Sequence, residues 1–320
     1  MPTLTRHRFD ATVQASDRIC REHFRLRVRI SGDFPATRPG QFIQIGCRPP
    51  NGAMDPDTLC GREIEWTIGR RPQLQQPELC EPLALLRRPF SLSGRVDDAN
   101  GTRIEIIHRV IGVGTHWLSD LQVGDAVDLI GPLGNAFKVP EDKSIGLLVG
   151  GGVGLPPMFY LAEALAAARW QGVGFVGAQT RDLLAVTFDG DRAAEFAAHG
   201  FDTVFTTNDG SYGQKGLITD GLRRRIAAMS DADKRNAVVF TCGPEPMMHA
   251  VTTLAAEHGI DCQVCLEQAM ACGMGTCQSC VVRIEDAARP HAHTDDGRPW
   301  RYKLACTDGP VFDACEVVWV

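Results

Sequence analysis

The chain has 320 residues, 44% of them hydrophobic, which is enough for two packed domains and a smaller module. Its formal net charge is −6 and its pI is near 5.9, with no Lys/Arg block, which argues against nucleic acid or an anionic membrane surface as the main partner. Residues 1–8 lack the apolar run of a secretory signal, so a cytoplasmic location is expected, where twelve cysteines read as ligands or free thiols rather than disulfides.

In chain order, Phe24, Leu26, Val28 and Ile30 alternate with Arg25, Arg27 and Arg29, the period of a strand with one buried face. Further strands are predicted at 41–45, 63–68, 90–92, 103–110 and 126–130, separated by glycine-containing turns. Short strands with little helix between them predict an antiparallel β-barrel over residues 1–139, with one short helix at 116–121. Between about 47 and 87 the rhythm breaks into a segment rich in Pro, Gln and Cys, read as an insertion at a barrel hairpin. Cys47, Cys60 and Cys80 in or beside it have no His to complete a metal site, and are read as incidental thiols.

Beyond residue 139 the pattern becomes an alternation of strands (145–149, 173–178, 203–206, 237–241, 261–266) and helices (157–170, 192–199, 217–229, 246–258). That alternation predicts a parallel sheet covered on both faces, an α/β nucleotide domain over 140–267. Residues 145–162 carry no charge and have the length of a membrane span. Their Gly150-Gly151-Gly152 and Pro156-Pro157 instead mark a strand, a turn and a helix start. Residues 268–320 read as a third module, closed by segments at 302–306 and 316–320.

Two turns in the α/β part can carry chemistry. Gly150–Gly154, closing a strand and opening a helix, can seat a pyrophosphate against backbone N–H groups, although Pro156 stands near the place of the third glycine of the usual fingerprint. A later strand ends in Cys242-Gly243-Pro244, and in a doubly wound sheet it points into the same crevice; the alternative is a buried strand-end thiol. In the barrel, Arg88 and Arg109 can neutralise a diphosphate. Ser91 and Thr115 can hydrogen-bond, and the turn at 112–115 offers free N–H groups.

The most specific signal is Cys272, Cys277 and Cys280, spaced C-x4-C-x2-C, with a distant Cys306. This is the plant-type ferredoxin spacing for a 2Fe-2S cluster, and Gly273 and Gly275 suit a loop that needs positive φ. Structural zinc is the competing reading, though zinc sites usually pair CxxC with CxxC or His. Cys262 and Cys265 form another C-x2-C, but three residues apart on a strand they point to opposite faces and chelate poorly. Asp97-Asp98 and Asp295-Asp296 read as solvated acidic pairs, and no side chain is assigned a catalytic role.

Arg-Pro-Phe-Ser in a barrel, Gly-Gly-Gly-Val-Gly-x-Pro-Pro and Cys-Gly-Pro in an α/β domain resemble the ferredoxin–NADP reductase superfamily. The C-terminal cysteines with Thr307-Asp308-Gly309-Pro310, the run Gly131-Pro132-Leu133-Gly134-Asn135 and the run from Asn208 to Gly213 narrow the resemblance. They are similar to the electron-transfer subunits of NAD-dependent dihydroorotate dehydrogenases, over nearly the whole chain. The resemblance implies that Arg88, Pro89, Phe90, Ser91, Ile107, His108, Arg109, Gly114 and Thr115 hold FAD, with His108 where the family often has Tyr. It implies that Gly152, Val153, Gly154, Pro156, Cys242, Gly243 and Pro244 face NAD, a co-substrate, and that Cys272, Cys277, Cys280 and Cys306 hold the 2Fe-2S cluster. It also implies a partner, an FMN-containing catalytic subunit, in a heterotetramer of two of each, serving pyrimidine biosynthesis. The alternatives are an NAD(P)H-linked reductase subunit for a hydrogenase, ferredoxin or oxygenase, and a zinc-stabilised binding module. NAD against NADP stays open on the residues, because Arg181 could favour a 2′-phosphate and Asp182 could reject one.

Overall fold

The computed structural model describes residues 7–48, 84, 86–285 and 299–319; the strand predicted at 63–68, Cys60, Cys80 and Asp295-Asp296 lie outside them. Six strands form a closed antiparallel barrel: β1 (His7–Arg18), β2 (His23–Ile30), β3 (Phe42–Gly46), β4 (Arg88–Asp98), β5 (Gly101–Arg109) and β6 (Ala126–Leu133), in the order β1-β2-β5-β4-β3-β6. The strand the sequence hides is β1. Its alternation runs through Ala11 and Val13, both buried, and alanine has little strand preference. Helix α1 (Val113–Asp120) starts before the predicted 116, because the Thr115 hydroxyl accepts from the N–H groups of Ile111 and Gly112 and donates to the Gly112 carbonyl. Asp97 and Asp98 do not stand free in solvent: Arg95 binds the first, and Arg29 binds the second through two hydrogen bonds of 2.7 and 2.9 Å.

The second sheet is built from β7 (Ile145–Gly151), β8 (Gln171–Ala178), β11 (Asp202–Thr207), β12 (Gln214–Lys215), β13 (Ala237–Cys242), β14 (Asp261–Cys265) and β17 (Val311–Asp313). Its order is β12-β11-β8-β7-β13-β14-β17, parallel except for β17. Strand order therefore reverses between β7 and β13, and a crevice opens at their C-terminal ends. One face is covered by α2 (Leu155–Ala167) and the single turn α3 (Ala194–Ala197), the other by α4 (Ile218–Ala227) and α6 (Glu245–Glu257), while α5 (Asp231–Arg235) is a short connector. The helix predicted at 192–199 is cut down to α3. A small hairpin, β9 (Phe188–Asp189) and β10 (Arg192–Ala193), takes its start, and the Glu195 carboxylate accepts from the Thr187 N–H instead of facing solvent. Cys262 and Cys265 do fall on opposite faces, in different apolar cores.

After β14 the chain forms the cysteine loop, then β15 (Val281–Glu285) and β16 (Trp300–Leu304), an antiparallel pair. It returns through Cys306 to β17, antiparallel to β14. The end of the chain therefore belongs to the nucleotide sheet as well as to the cysteine module. Among the described residues, no helix is long and apolar enough to cross a membrane.

Side-chain hydrogen bonds join the parts. Asn135, just beyond β6, donates to the carbonyls of Asp308 and Val311 at 2.9 and 2.7 Å and accepts the Val311 N–H at 2.9 Å. Gln263 of β14 exchanges two hydrogen bonds with the Lys138 backbone. Arg25 departs from the simple reading of β2 as a strand with one solvated face: it is 8% exposed, pairs with Glu195 across the domain interface, and donates to Thr187 Oγ1 at 3.0 Å. Removing Glu195 leaves the buried Arg25 guanidinium only one carboxylate among the described residues, that of Glu105, 3.5 Å away. Glu195→Leu is expected to destabilise the protein by about 3 kcal/mol, and the Arg25→Met/Glu195→Leu double variant to recover most of that, measured by thermal unfolding.

Candidate functional site

The four predicted cluster ligands lie together at the junction of the cysteine loop and the β16–β17 connection. Cys272 Sγ accepts the N–H groups of Met274 and Cys277 at 3.4 Å each. Cys277 Sγ lies 3.2 Å from Ser279 Oγ, and Cys306 is in side-chain contact with Cys280. Gly273 and Gly275 have φ of 68° and 88°, as the loop requires. The four sulfurs differ in environment. Cys277 is exposed, and hydrogen bonds from Ser279 and then from Cys272 hold its thiol down to about 6. Cys280 and Cys306 are 2% and 1% exposed and pack into the apolar core of the nucleotide sheet. Burial first, and then Cys280, pushes Cys306 up to about 12. Among the described residues no three His, Cys, Asp or Glu side chains are grouped to hold a metal ion; Cys277 is in side-chain contact with Cys272, and Cys306 with Cys280.

The two glycine turns meet at the switch point. Gly150 is the register partner of Cys242, and a Cβ on Gly154 would overlap the Cys242 carbonyl. Gly152 takes φ 56°, and a Cβ on Gly243 would lie 3.3 Å from the Gly151 N. Cys242 itself is buried, in side-chain contact with Cys265, so its contribution at the crevice is through the backbone. Val153 and Pro156 follow at the entry to α2, where Pro156 and Pro157 carry no N–H and the Leu155 N–H is bonded to the Gly152 carbonyl, so the free backbone donors are those of the glycine turn itself. Arg181 and Asp182, which left the choice of nucleotide open, are both engaged. The Arg181 guanidinium lies over the rings of Tyr212 and Phe188, and Asp182 pairs with Arg21 at 2.9 Å.

On the barrel, Pro89 and Ser91 share one outer face with their β3 partners Gln44 and Phe42, whereas Phe90 packs into the barrel core. Ile107 faces the nucleotide domain and joins its core. Arg88 is half-buried and donates to the carbonyls of Leu86 and Arg87, and Arg109 pairs with Glu22. The turn at 112–115 is less open than its glycines suggest. Thr115 consumes the N–H groups of Ile111 and Gly112, and a Cβ on Gly114 would lie 3.1 Å from that of Cys47. Gly114 thus docks α1 on the barrel, and Cys47 is the buried surface that receives it.

His108 is 1% exposed between Phe24 and Phe90, and neither ring nitrogen has a partner among the described residues. Beside it is a residue that the sequence reading missed: His23, 2% exposed, with Nδ1 3.2 Å from Cys20 Sγ and Nε2 unpartnered. That Nε2 would lie 3.9 Å from a Cβ on Gly152, so the barrel reaches the glycine turn through this ring. A second missed residue, Gln44, interrupts an otherwise apolar strand and lies against the cysteine loop. The unpartnered His23 Nε2 and Gln44 Oε1 lie on outward-facing positions of β2 and β3 and fit a polar, hydrogen-bonding cofactor outside the barrel, whereas His108 shares the inward face of β5 with Ile104 and Ile106.

Barrel, switch-point sheet and cysteine module together define a reductase of the ferredoxin–NADP reductase type with an added iron–sulfur module. Residues 267–318 match the iron-sulfur cluster binding domain of dihydroorotate dehydrogenase B, and residues 148–253 match the oxidoreductase NAD-binding domain. The chain belongs to the family of electron transfer subunits of dihydroorotate dehydrogenase B (NAD(+)) and is an oxidoreductase component. It is 34% identical to the subunit of Caldanaerobacter subterraneus subsp. tengcongensis over 259 residues, 80% of this chain and 91% of that one. The Desulforamulus reducens subunit is 34% identical over 281 residues, 88% and 87% of the two chains. Among solved structures, that of an NADH-dependent reduced ferredoxin–NADP oxidoreductase superposes with a TM-score of 0.70 at 27% identity, covering 97% of this chain and 90% of the other.

The two buried imidazoles generate a pH dependence. Burial pushes both His23 and His108 down to about 4, with Arg109 adding to the first and His23 to the second. Unfolding raises them to the ordinary value near 6.5, so the unfolded chain binds more protons between about pH 4 and 6.5. Their stabilising effect is complete above that window and is lost as pH falls through it. The thermal midpoint should drop on acidification from pH 6.5 to 4, with a shallower slope in His108→Phe.

Proposed function

We propose that this chain carries electrons between a partner's flavin and NAD+, through a 2Fe-2S cluster at Cys272, Cys277, Cys280 and Cys306 and an FAD on the outer face of the barrel. One arrangement supports this above all. The outside of the barrel touches both terminal loops, through His23 of β2 against the Gly152 turn and through Gln44 of β3 against Gly273.

In this reading the half-buried Arg88, with Arg109 released from Glu22, neutralises the FAD diphosphate, and Thr115 holds the α1 turn in shape beside it. Pro89, Ser91 and Ile107 set the plane on which the flavin lies, and Phe90, His108 and Gly114 hold that surface from inside the barrel. Gly152, Val153, Gly154, Pro156 and the Cys242-Gly243-Pro244 backbone receive the nicotinamide nucleotide at the switch point. The bare glycines admit it closely, and the α2 N-terminus favours its phosphates. Flavin supplies the conversion between hydride transfer with the nucleotide and single electrons with the cluster. Exposed Cys277 places the cluster edge toward solvent, where a partner docks, while Cys280 and Cys306 anchor it in the core. Dihydroorotate oxidation belongs in this reading to a separate FMN-bearing chain, consistent with relatives named as the electron transfer subunit. Two of each chain, in the cytoplasm, complete the assembly. Domain limits of 1–139, 140–267 and 268–320 follow the same division of labour.

The likeness to an NADH-dependent ferredoxin–NADP oxidoreductase supports a second reading, in which the cluster exchanges electrons with a ferredoxin-type carrier. Anaerobic purification with any bound partner, followed by flavin, iron and sulfide analysis and an assay of dihydroorotate-dependent NAD+ reduction, separates the two. Cys277→Ser should abolish electron passage between partner and NAD+ while sparing reduction of FAD by NADH. Undiminished coupled turnover would refute the route.

A further inference from the structure

Gln44 is 1% exposed in a strand whose neighbours Ile43 and Ile45 fill the barrel core. Strand alternation sends its side chain out through the opposite face. Its direct partner on β4 is Pro89, and the next pair on that face is Phe42 with Ser91. Gln44 therefore shares the surface on which the flavin is placed.

The same side chain touches the cysteine loop. Its Nε2 donates to the Ala271 carbonyl at 3.5 Å, a long hydrogen bond. A Cβ on Gly273 would lie 2.6 Å from Gln44 Cδ, so the loop closes over the carboxamide only because residue 273 has no side chain. Ala271 and Gly273 flank Cys272. The other carboxamide atom, Oε1, is buried and has no donor among the described residues. Reversing the amide would set Oε1 against the Ala271 carbonyl, so Nε2 belongs where it is and Oε1 is the open acceptor. A buried amide oxygen without a donor is costly, and the surface at Pro89 and Ser91 is where a bound molecule can supply one.

We propose that Gln44 is the positioning residue that ties the two electron carriers together: Nε2 holds the cysteine loop at Ala271, and Oε1 accepts a ring N–H of the flavin lying along Pro89 and Ser91. This rests on the cofactor placement proposed above. It adds that one carboxamide, belonging to neither cofactor's main binding motif, contacts both the cysteine loop and the flavin surface. Gln44 lies against the loop that flanks Cys272, so the internal transfer is the step it positions.

Two variants of the intact protein test it. Gln44→Met keeps the length and loses both hydrogen bonds. Its iron and sulfide content should match the wild type, FAD should bind about tenfold more weakly, and hydrogen exchange of the amides at 271–275 should be about tenfold faster. With FAD saturating, onward reduction of the cluster by reduced FAD should slow. Gln44→Glu keeps an acceptor but sets a carboxylate against the Ala271 carbonyl. It should loosen the loop at least as much as Gln44→Met while holding FAD close to wild-type affinity. Wild-type FAD affinity and wild-type loop exchange in Gln44→Met would overturn the assignment, as would equal loss of FAD in both variants. If the wild-type protein itself carries no flavin or no cluster, the cofactor placement fails and this inference falls with it.

Discussion

The molecule depends on Asn135. From the end of the barrel its carboxamide satisfies the backbone of residues 308–311, the stretch that follows Cys306 and leads into β17. Its own N–H reaches the Gly309 carbonyl at 2.6 Å, and Gly134 beside it packs on Pro310. One side chain thereby fixes the last cysteine ligand relative to the barrel and the edge of the nucleotide sheet relative to both. A loop of cysteines can bind a cluster anywhere on a surface; a relay needs its stations at set separations. Asn135, Gln263 and Arg25 join segments more than a hundred residues apart in sequence and make those separations a property of the fold.

Polarity is built into the thiols in the same way. The exposed sulfur, Cys277, is surrounded by donors that favour its anion, whereas burial disfavours that of Cys306. At the nucleotide-domain end of the barrel, His23 and His108 are kept neutral by burial above about pH 4.

Much of this was legible in the sequence, for identifiable reasons. The cysteine spacing, the βα alternation and the two glycine turns are local patterns, and their physics is local. The barrel strand β1 was hidden because alanine at buried positions blurs its alternation, and the helix expected at 192–199 shrank because Arg192 and Ala193 pair with β9. His23 and Gln44 were unreadable for a different cause. Each matters through what lies opposite it, Gly152 and Gly273, and no spacing rule connects residues that distant. Gly114 shows the reverse. Its place in a turn suggested phosphate contact, whereas its missing side chain makes room for Cys47.

The return of the chain to β17 also decides how a protein can meet this one. Strand β14 would otherwise end the parallel sheet with an open row of backbone donors and acceptors, and β17 covers it with three residues of antiparallel pairing. The opposite margin, β12, is only two residues long. Short or covered margins of this kind resist edge-to-edge association. The nucleotide sheet therefore offers no long template for strand addition, and recognition of another subunit falls to side chains and loop shape, which can be selective without inviting aggregation.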